Sequence, residues 1–189
     1  MLFRSVPPLV LHPDPLEVEK ARARFASRQG RKVAVHISAR RAAQRWPAER
    51  FAELIRKLAE RAAAPMLLWS PGRADHPQHP GDDEKAAQVV RALGADSRVL
   101  AYPTAQLPGL IGALTACDEV ICSDGGAMHL AAALGKPIVA LFGDSSPERW
   151  RPWGVRYRVV RAPSRDVSEL PASAVLAAYE GLVAPAGAP

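Results

Sequence analysis

Two cysteines in 189 residues cannot build a disulfide framework, and Cys117 and Cys122 lack the spacing of a zinc site. Both fall around an expected buried strand and read as small core residues of a reducing compartment. Long apolar runs are lacking too: Gly, Pro or charge interrupts each well short of the ~18 residues a membrane helix needs. Residues 1–11 contain Pro7 and Pro8 and have no long apolar core before a small-residue cleavage site, so they do not read as a signal peptide. The chain is expected to be cytoplasmic, with peripheral contact at an inner membrane left open. There is no GxGxxG turn, no GxxxxGK(S/T) and no GxSxG elbow, which removes dinucleotide, P-loop and serine-hydrolase readings. Aromatic residues are 6% of the chain and do not interleave with basic ones, so nucleic acid is not an expected partner. No internal repeat is present.

What remains is an ordinary globular composition, 48% hydrophobic, long enough for one domain with its own core and short for two. The formal net charge is +6, carried mainly by arginines crowded within residues 22–61 and 149–165. Such a balance suits an anionic partner.

Along the chain, residues 1–14 read as a proline-rich lead-in, 15–184 as one domain and 185–189 as a fraying tail. Helices are expected over 15–28, 47–63, 82–93, 104–116, 126–134 and 168–182. Thr104, and Asp82 or Asp83, are the expected caps of their helices. Strands are expected over 32–38, 65–69, 98–101, 119–122, 137–142 and 157–161. The alternation of continuous apolar strands with helices predicts a Rossmann-like three-layer α/β/α sandwich with a mainly parallel sheet.

Polar chemistry gathers at the turns. At Asp124-Gly125-Gly126 a strand passes into a helix, at the end of the sheet where α/β proteins bind ligands. Two glycines let backbone N–H groups approach an anion, and the helix supplies unpaired donors and its positive dipole end. His129, one turn in, leans back toward the same mouth. Asp124 can cap the helix or accept hydrogen bonds from sugar hydroxyls; equally, the turn can be a plain cap and His129 a satisfied buried histidine. The loop after the first strand offers Ser38 and the guanidinium forks of Arg40, Arg41 and Arg45, suited to phosphate oxygens or simply solvated. Ser145 and Ser146 follow a later strand and can donate to a sugar or phosphate, or form a turn. The loop Asp75-His76-Pro77-Gln78-His79 has no fixed metal geometry and reads better as a wall of a base or ribose pocket than as a metal site.

The loop ending Gln44-Arg45-Trp46-Pro47, the block over 123–143 and the order of elements between them resemble glycosyltransferase family 9, the lipopolysaccharide heptosyltransferases, over residues 9–182. The likeness implies the C-terminal half of a GT-B architecture, which holds the nucleotide-sugar donor, typically ADP-heptose, for inverting transfer in lipopolysaccharide core assembly. It implies no obligatory cofactor or metal. Asp124 would contact the sugar; Gly125, Gly126 and His129, with Ala127 and Met128 in the same turn, would surround the diphosphate. Ser38, Arg40, Arg41, Gln44 and Arg45 would add phosphate contacts, and Ser145 lies on the neighbouring loop. The family commonly has lysine where this chain has Gln44, and Ser or Thr in place of Gly125. The acceptor site and the carboxylate that serves as general base belong, in this family, to an N-terminal domain that these 189 residues do not include. Through that domain the lipopolysaccharide core would be the acceptor. The chain alone is therefore expected to bind donor and transfer sugar poorly. An apolar docking face is expected over the lead-in and the last helix. A stand-alone nucleotide-binding or interaction module that has lost catalysis fits the same departures.

Overall fold

Short apolar runs bounded by turn residues become strands when both of their faces can be covered, a condition met here by four central strands and relaxed in two half-exposed edge strands. In the computed structural model, which describes residues 9–94 and 99–184, they are β1 (Lys32–His36), β2 (Ala64–Trp69), β3 (Leu100–Pro103), β4 (Glu119–Ser123), β5 (Ile138–Phe142) and β6 (Tyr157–Arg161). All five pairings are parallel, in the order β3-β2-β1-β4-β5-β6. The order reverses between β1 and β4, and such a switch point opens a crevice at the carboxyl ends of the strands.

Helices cover both faces. On one side lie α2 (Ala48–Glu60), α3 (Asp83–Leu93) and α7 (Ala172–Val183); on the other lie α1 (Pro15–Ala23), α4 (Leu107–Ala116) and α5 (Gly126–Ala133). The alternation of β1 shows how one strand serves two layers: Val33 and Val35 join the α2 side, Ala34 the α4 side. Trp46 anchors the first layer. It is fully buried, meets Phe51 edge-on at 4.8 Å and donates Nε1–H to the Leu170 carbonyl at 3.0 Å. On the second layer, Gly112 lets α4 press on α1, since a Cβ there would lie 2.6 Å from the Glu17 backbone.

Several expected boundaries move. The third strand begins at Leu100, not 98, and residues 95–98 lie outside the described ones. Thr104 does not cap α4: its hydroxyl donates to the Trp69 carbonyl, and the helix starts three residues on. Asp82 holds the N-cap position of α3 without a capping bond because ion pairs take its carboxylate, and Asp83 binds Trp69 Nε1 and the Gly72 N–H. The last helix divides into a 3-10 turn at Val167–Glu169 and α7, separated by Pro171. A four-residue helix, α6 (Pro147–Trp150), arises where no element was expected. The lead-in reading falls partly, and the 185–189 tail wholly, outside the described residues. Of the expected docking face, the last helix buries its large apolar side chains Val175, Leu176, Tyr179 and Leu182 within the domain, whereas Leu9 and Val10 of the lead-in are exposed, as are Leu16, Val90, Leu107, Trp150 and Trp153 elsewhere. Among the described residues no helix is long and apolar enough to cross a membrane.

Candidate functional site

The crevice at the switch point is a cavity of about 600 Å³ built from four loops, those leaving β1, β2, β4 and β5. Its β4 side is the Asp124-Gly125-Gly126 turn. A Cβ at Gly125 or Gly126 would meet no protein atom within 4 Å, so packing does not demand glycine at either position, although the backbone does at Gly125, where φ is +158°. The two glycines leave backbone bare toward the cavity. The N–H groups of Gly125, Gly126 and Ala127 have no acceptor among the described residues, and the dipole of α5 adds positive potential at the same point. An anion is what this end of the cavity fits.

Asp124 is neither a cap nor free. It is 8% exposed, and its Oδ2 accepts from Gln44 Nε2 at 3.1 Å and from Ser145 Oγ at 2.5 Å. Ser123 Oγ donates to the Gln44 carbonyl at 2.7 Å, so the loops after β1, β4 and β5 are stitched together around one carboxylate. Gln44 reaches this corner because a 3-10 turn, Ala42–Gln44, folds the arginine loop back under Gly143; a Cβ at Gly143 would stand 2.1 Å from the Ala43 carbonyl oxygen. The Gln44 amide brings a hydrogen bond and no charge.

The guanidinium groups separate. Arg40 and Arg41 line the cavity; Arg41 pairs with Asp144 at 2.5 Å, while Arg40 has no ion pair among the described residues. Arg45 turns away to Asp82, 2.5 Å off, and lines a different depression beside α2 and α3. Met128 is also displaced from the site, its side chain fully buried in the α4–α5 layer. His129 is half-buried outside the cavity lining, with its ring edge-on to Trp150 at 6.4 Å. Ser38 lines the cavity and accepts the Ser70 N–H at 2.9 Å, tying β1 to β2. The structure thus brings Ser38, Arg40, Arg41, Gln44, Asp124, Gly125, Gly126, Ala127 and Ser145 together around one cavity, and does not bring Arg45, Met128 or His129 to its lining.

The cavity adds residues that the sequence did not single out as contacts. His36 ends β1 and forms part of the floor, 7% exposed, with Nδ1 unpartnered. Burial pulls its pKa down to about 4; Asp82 opposes the shift, Lys85 deepens it, and a backbone hydrogen bond at Ser38 acts with Asp82. The ring is neutral at pH 7. Trp150, on α6, forms the rim and is 46% exposed. Ser70, Gln78, His79 and Pro80 form the β2 side, so the proline-broken loop does wall the cavity. The first strand was expected to run to 38 and ends at His36, so the usable signal for His36 was only its place near the carboxyl end of a strand that reaches the crevice; nothing local marked Trp150. Among the described residues no cluster of three or more His, Cys, Asp or Glu side chains is arranged to hold a metal ion. Cys117 and Cys122 are buried, and burial pushes both thiols up to about 12, which leaves them inert.

The sequence pattern of glycosyltransferase family 9 (heptosyltransferase) matches residues 11–177. The chain belongs to this family. Its family 9 relatives include lipopolysaccharide heptosyltransferase 2 of Escherichia coli (strain K12), 35% identical over 123 residues, covering 63% of this chain and 32% of the relative. Lipopolysaccharide heptosyltransferase 1 of Escherichia coli O18:K1:H7 is 30% identical over 130 residues, covering 69% and 36%. The chain thus spans about a third of the length of the curated family 9 proteins it matches. Among solved structures, the Escherichia coli ADP-heptose lipopolysaccharide heptosyltransferase II superposes with a TM-score of 0.79 at 24% identity, over 96% of this chain and 55% of that one. The Escherichia coli heptosyltransferase WaaC with ADP gives a TM-score of 0.68 at 25% identity, over 86% and 48%. The Rossmann-like fold is therefore the one found in GT-B heptosyltransferases. A C-terminal domain of a group 1 glycosyltransferase from Francisella tularensis has the same fold, with a TM-score of 0.53 over 95% of this chain and 88% of that domain.

Proposed function

We propose that this chain is the donor-binding, C-terminal half of an inverting glycosyltransferase of lipopolysaccharide core assembly, and that its cavity takes a nucleoside diphosphate sugar of the ADP-heptose kind. The observation that carries the reading is the glycine turn at β4: three unpaired N–H groups at a helix N-terminus, with Arg40 and Arg41 across the same cavity. Family membership and the ADP-bound state of the related WaaC structure support it. In transfer, bond cleavage at the anomeric carbon leaves charge on the departing diphosphate. Fixed N–H dipoles and guanidinium groups stabilise that charge as it develops, without requiring a metal or cofactor. Ser145 and Gln44 hold Asp124, the only carboxylate among the described residues lining the cavity, where sugar hydroxyls can donate to it.

A carboxylate already engaged by two donors is a poor general base, and an acceptor hydroxyl needs a base within hydrogen-bond reach. That base and the lipopolysaccharide acceptor site are assigned to an N-terminal domain. The place of work is the cytoplasm. Calorimetric titration with ADP and ADP-heptose tests the donor site directly: binding is expected, weakened about tenfold or more in Asp124→Ala for the sugar-bearing ligand. Absence of binding at millimolar concentration, with Asp124→Ala indistinguishable from wild type, would sink the reading. Transfer assays separate the half-enzyme from a catalytically lost module. Turnover should emerge only when an N-terminal half of a family 9 enzyme is supplied, and robust transfer by the 189-residue chain alone would refute the division of labour.

A further inference from the structure

The cavity crosses the ends of four neighbouring strands, and its β4 and β2 walls differ in chemistry. The β4 end offers N–H groups to an anion, joined by Arg40 and Arg41 from the β1 loop. The β2 end, two strands away, presents Gln78, His79 and Pro80. Adjacent strands lie about 4.8 Å apart, so roughly 10 Å separates the two walls at the level of the sheet. A group one short linker beyond a bound diphosphate would rest against the second wall.

The loop that forms this wall is fastened at every level. At its neck Gly72 and Gly81 touch so closely that a Cβ at Gly81 would stand 2.2 Å from the Gly72 carbonyl carbon. Asp83 accepts Trp69 Nε1–H at 2.8 Å and the Gly72 N–H at 2.9 Å; Gly81 N–H donates to the Arg73 carbonyl at 2.8 Å. At the tip, His76 Nδ1 accepts the His79 N–H at 3.0 Å and, more weakly, that of Gln78 at 3.4 Å, and the rings of His76 and His79 stack at 5.8 Å. Beneath the neck, buried Asp82 pairs with Arg45 and Lys85, and Lys85 donates to the Ile37 carbonyl at 3.2 Å, binding the loop to the segment after β1. Within the loop, these fastenings use backbone groups, the rings of His76 and His79 and the Arg73–Asp75 pair, and none of them uses the Gln78 amide. The Gln78 amide and the imidazole nitrogens of His79 have no hydrogen-bond partner among the described residues.

We propose that Gln78 is a specificity-determining residue that reads the edge of a planar nitrogen heterocycle, the base of a nucleoside diphosphate, while His79 and Pro80 pack on that base. A primary amide carries a donor and an acceptor side by side, the pattern that pairs with a heterocycle's polar edge. Held on a pinned loop, the amide meets a bound base at a set place on its edge, and the base whose donor and acceptor lie at that place is preferred. The inference rests on the nucleotide-sugar reading of the cavity and adds to it a residue that selects the base.

The test compares ADP, GDP, UDP, CDP and inorganic pyrophosphate by calorimetry on wild type, Gln78→Ala and Gln78→Asn. Gln78 is exposed and bonded only through its backbone, so the variants should melt as wild type does. Wild type is expected to prefer one base. Gln78→Ala should weaken that nucleotide about five- to tenfold, bring the four nucleotides close together and leave pyrophosphate unchanged. Gln78→Asn, one methylene short, should not restore the preference. Wild-type base ratios retained in Gln78→Ala, or no base preference in wild type, would overturn the role of Gln78 while leaving the diphosphate site standing. Failure of wild type to bind any nucleotide or pyrophosphate would overturn the nucleotide reading itself, and this assignment with it.

Discussion

At the scale of the residue, charge in the cavity is divided by what each guanidinium already touches. Arg41 spends part of its donor capacity on Asp144 and Arg45 is committed to Asp82, whereas Arg40 is unpaired among the described residues. A charge-assisted bond at this exposed position is worth about 1 to 2 kcal/mol. Arg40→Ala should therefore weaken ADP by roughly an order of magnitude in calorimetry, and Arg41→Ala by less; a larger loss in Arg41→Ala would show that the Asp144 pair opens on binding. His36 supplies a pH signature. In the unfolded chain its imidazole takes a proton as pH falls through about 6.5. In the folded chain burial delays protonation to about 4. Between those values the unfolded state binds more protons, so stability declines as pH falls from 6.5 toward 4, by of order 3 kcal/mol when complete. Urea unfolding at pH 7 and pH 4.5 should show a smaller difference for His36→Leu than for wild type, and equal differences would show that the ring is not held neutral.

At the scale of the element, the four central strands were legible because each buries both faces and reads as a mostly apolar run, β2 and β5 agreeing to within one residue; β6, a half-exposed edge strand, agrees to the residue through its β-branched and aromatic side chains alone. Caps were less legible. Thr104, Asp82 and Asp83 have the side chains that cap helices, yet each is engaged by a partner from another segment, Thr104 by the Trp69 carbonyl, Asp82 by Arg45 (and by Lys85 in its own helix), and Asp83 by Trp69 Nε1 with the Gly72 N–H. Local propensity could not anticipate a competitor distant in sequence. Helix contact makes a sharper test. Gly112→Ala would drive a Cβ to 2.6 Å from the Glu17 backbone, whereas Gly109→Ala in the same helix reaches only the Glu17 carboxylate, at 3.5 Å. The first should cost about 1 to 3 kcal/mol through overpacking, and the second should be neutral or stabilising by up to ~1 kcal/mol through helix propensity. Denaturation midpoints of the two variants moving together would mean that α1 does not press on α4 as described.

At the scale of the molecule, a net charge of +6 and a guanidinium-lined crevice set up a field that draws anions in. ADP affinity should fall about three- to tenfold as ionic strength rises from low salt to ~0.5 M, since the Debye length shrinks below the width of the cavity. Salt-independent affinity would place the binding energy in the base and sugar instead of the diphosphate. The sequence by itself determined the layered parallel fold, the family likeness and the glycine turn, because apolar periodicity and turn chemistry act over a few neighbouring residues. Tertiary structure decided which polar side chains share the crevice. It turned Arg45 toward Asp82, sank Met128 in the core, tied Gln44 and Ser145 to Asp124, and brought Gln78 to the wall facing the glycine turn. The physical reason is that a carboxylate or amide is satisfied by whichever partner the packed strands carry within about 3 Å of it, and that partner lies tens of residues away along the chain.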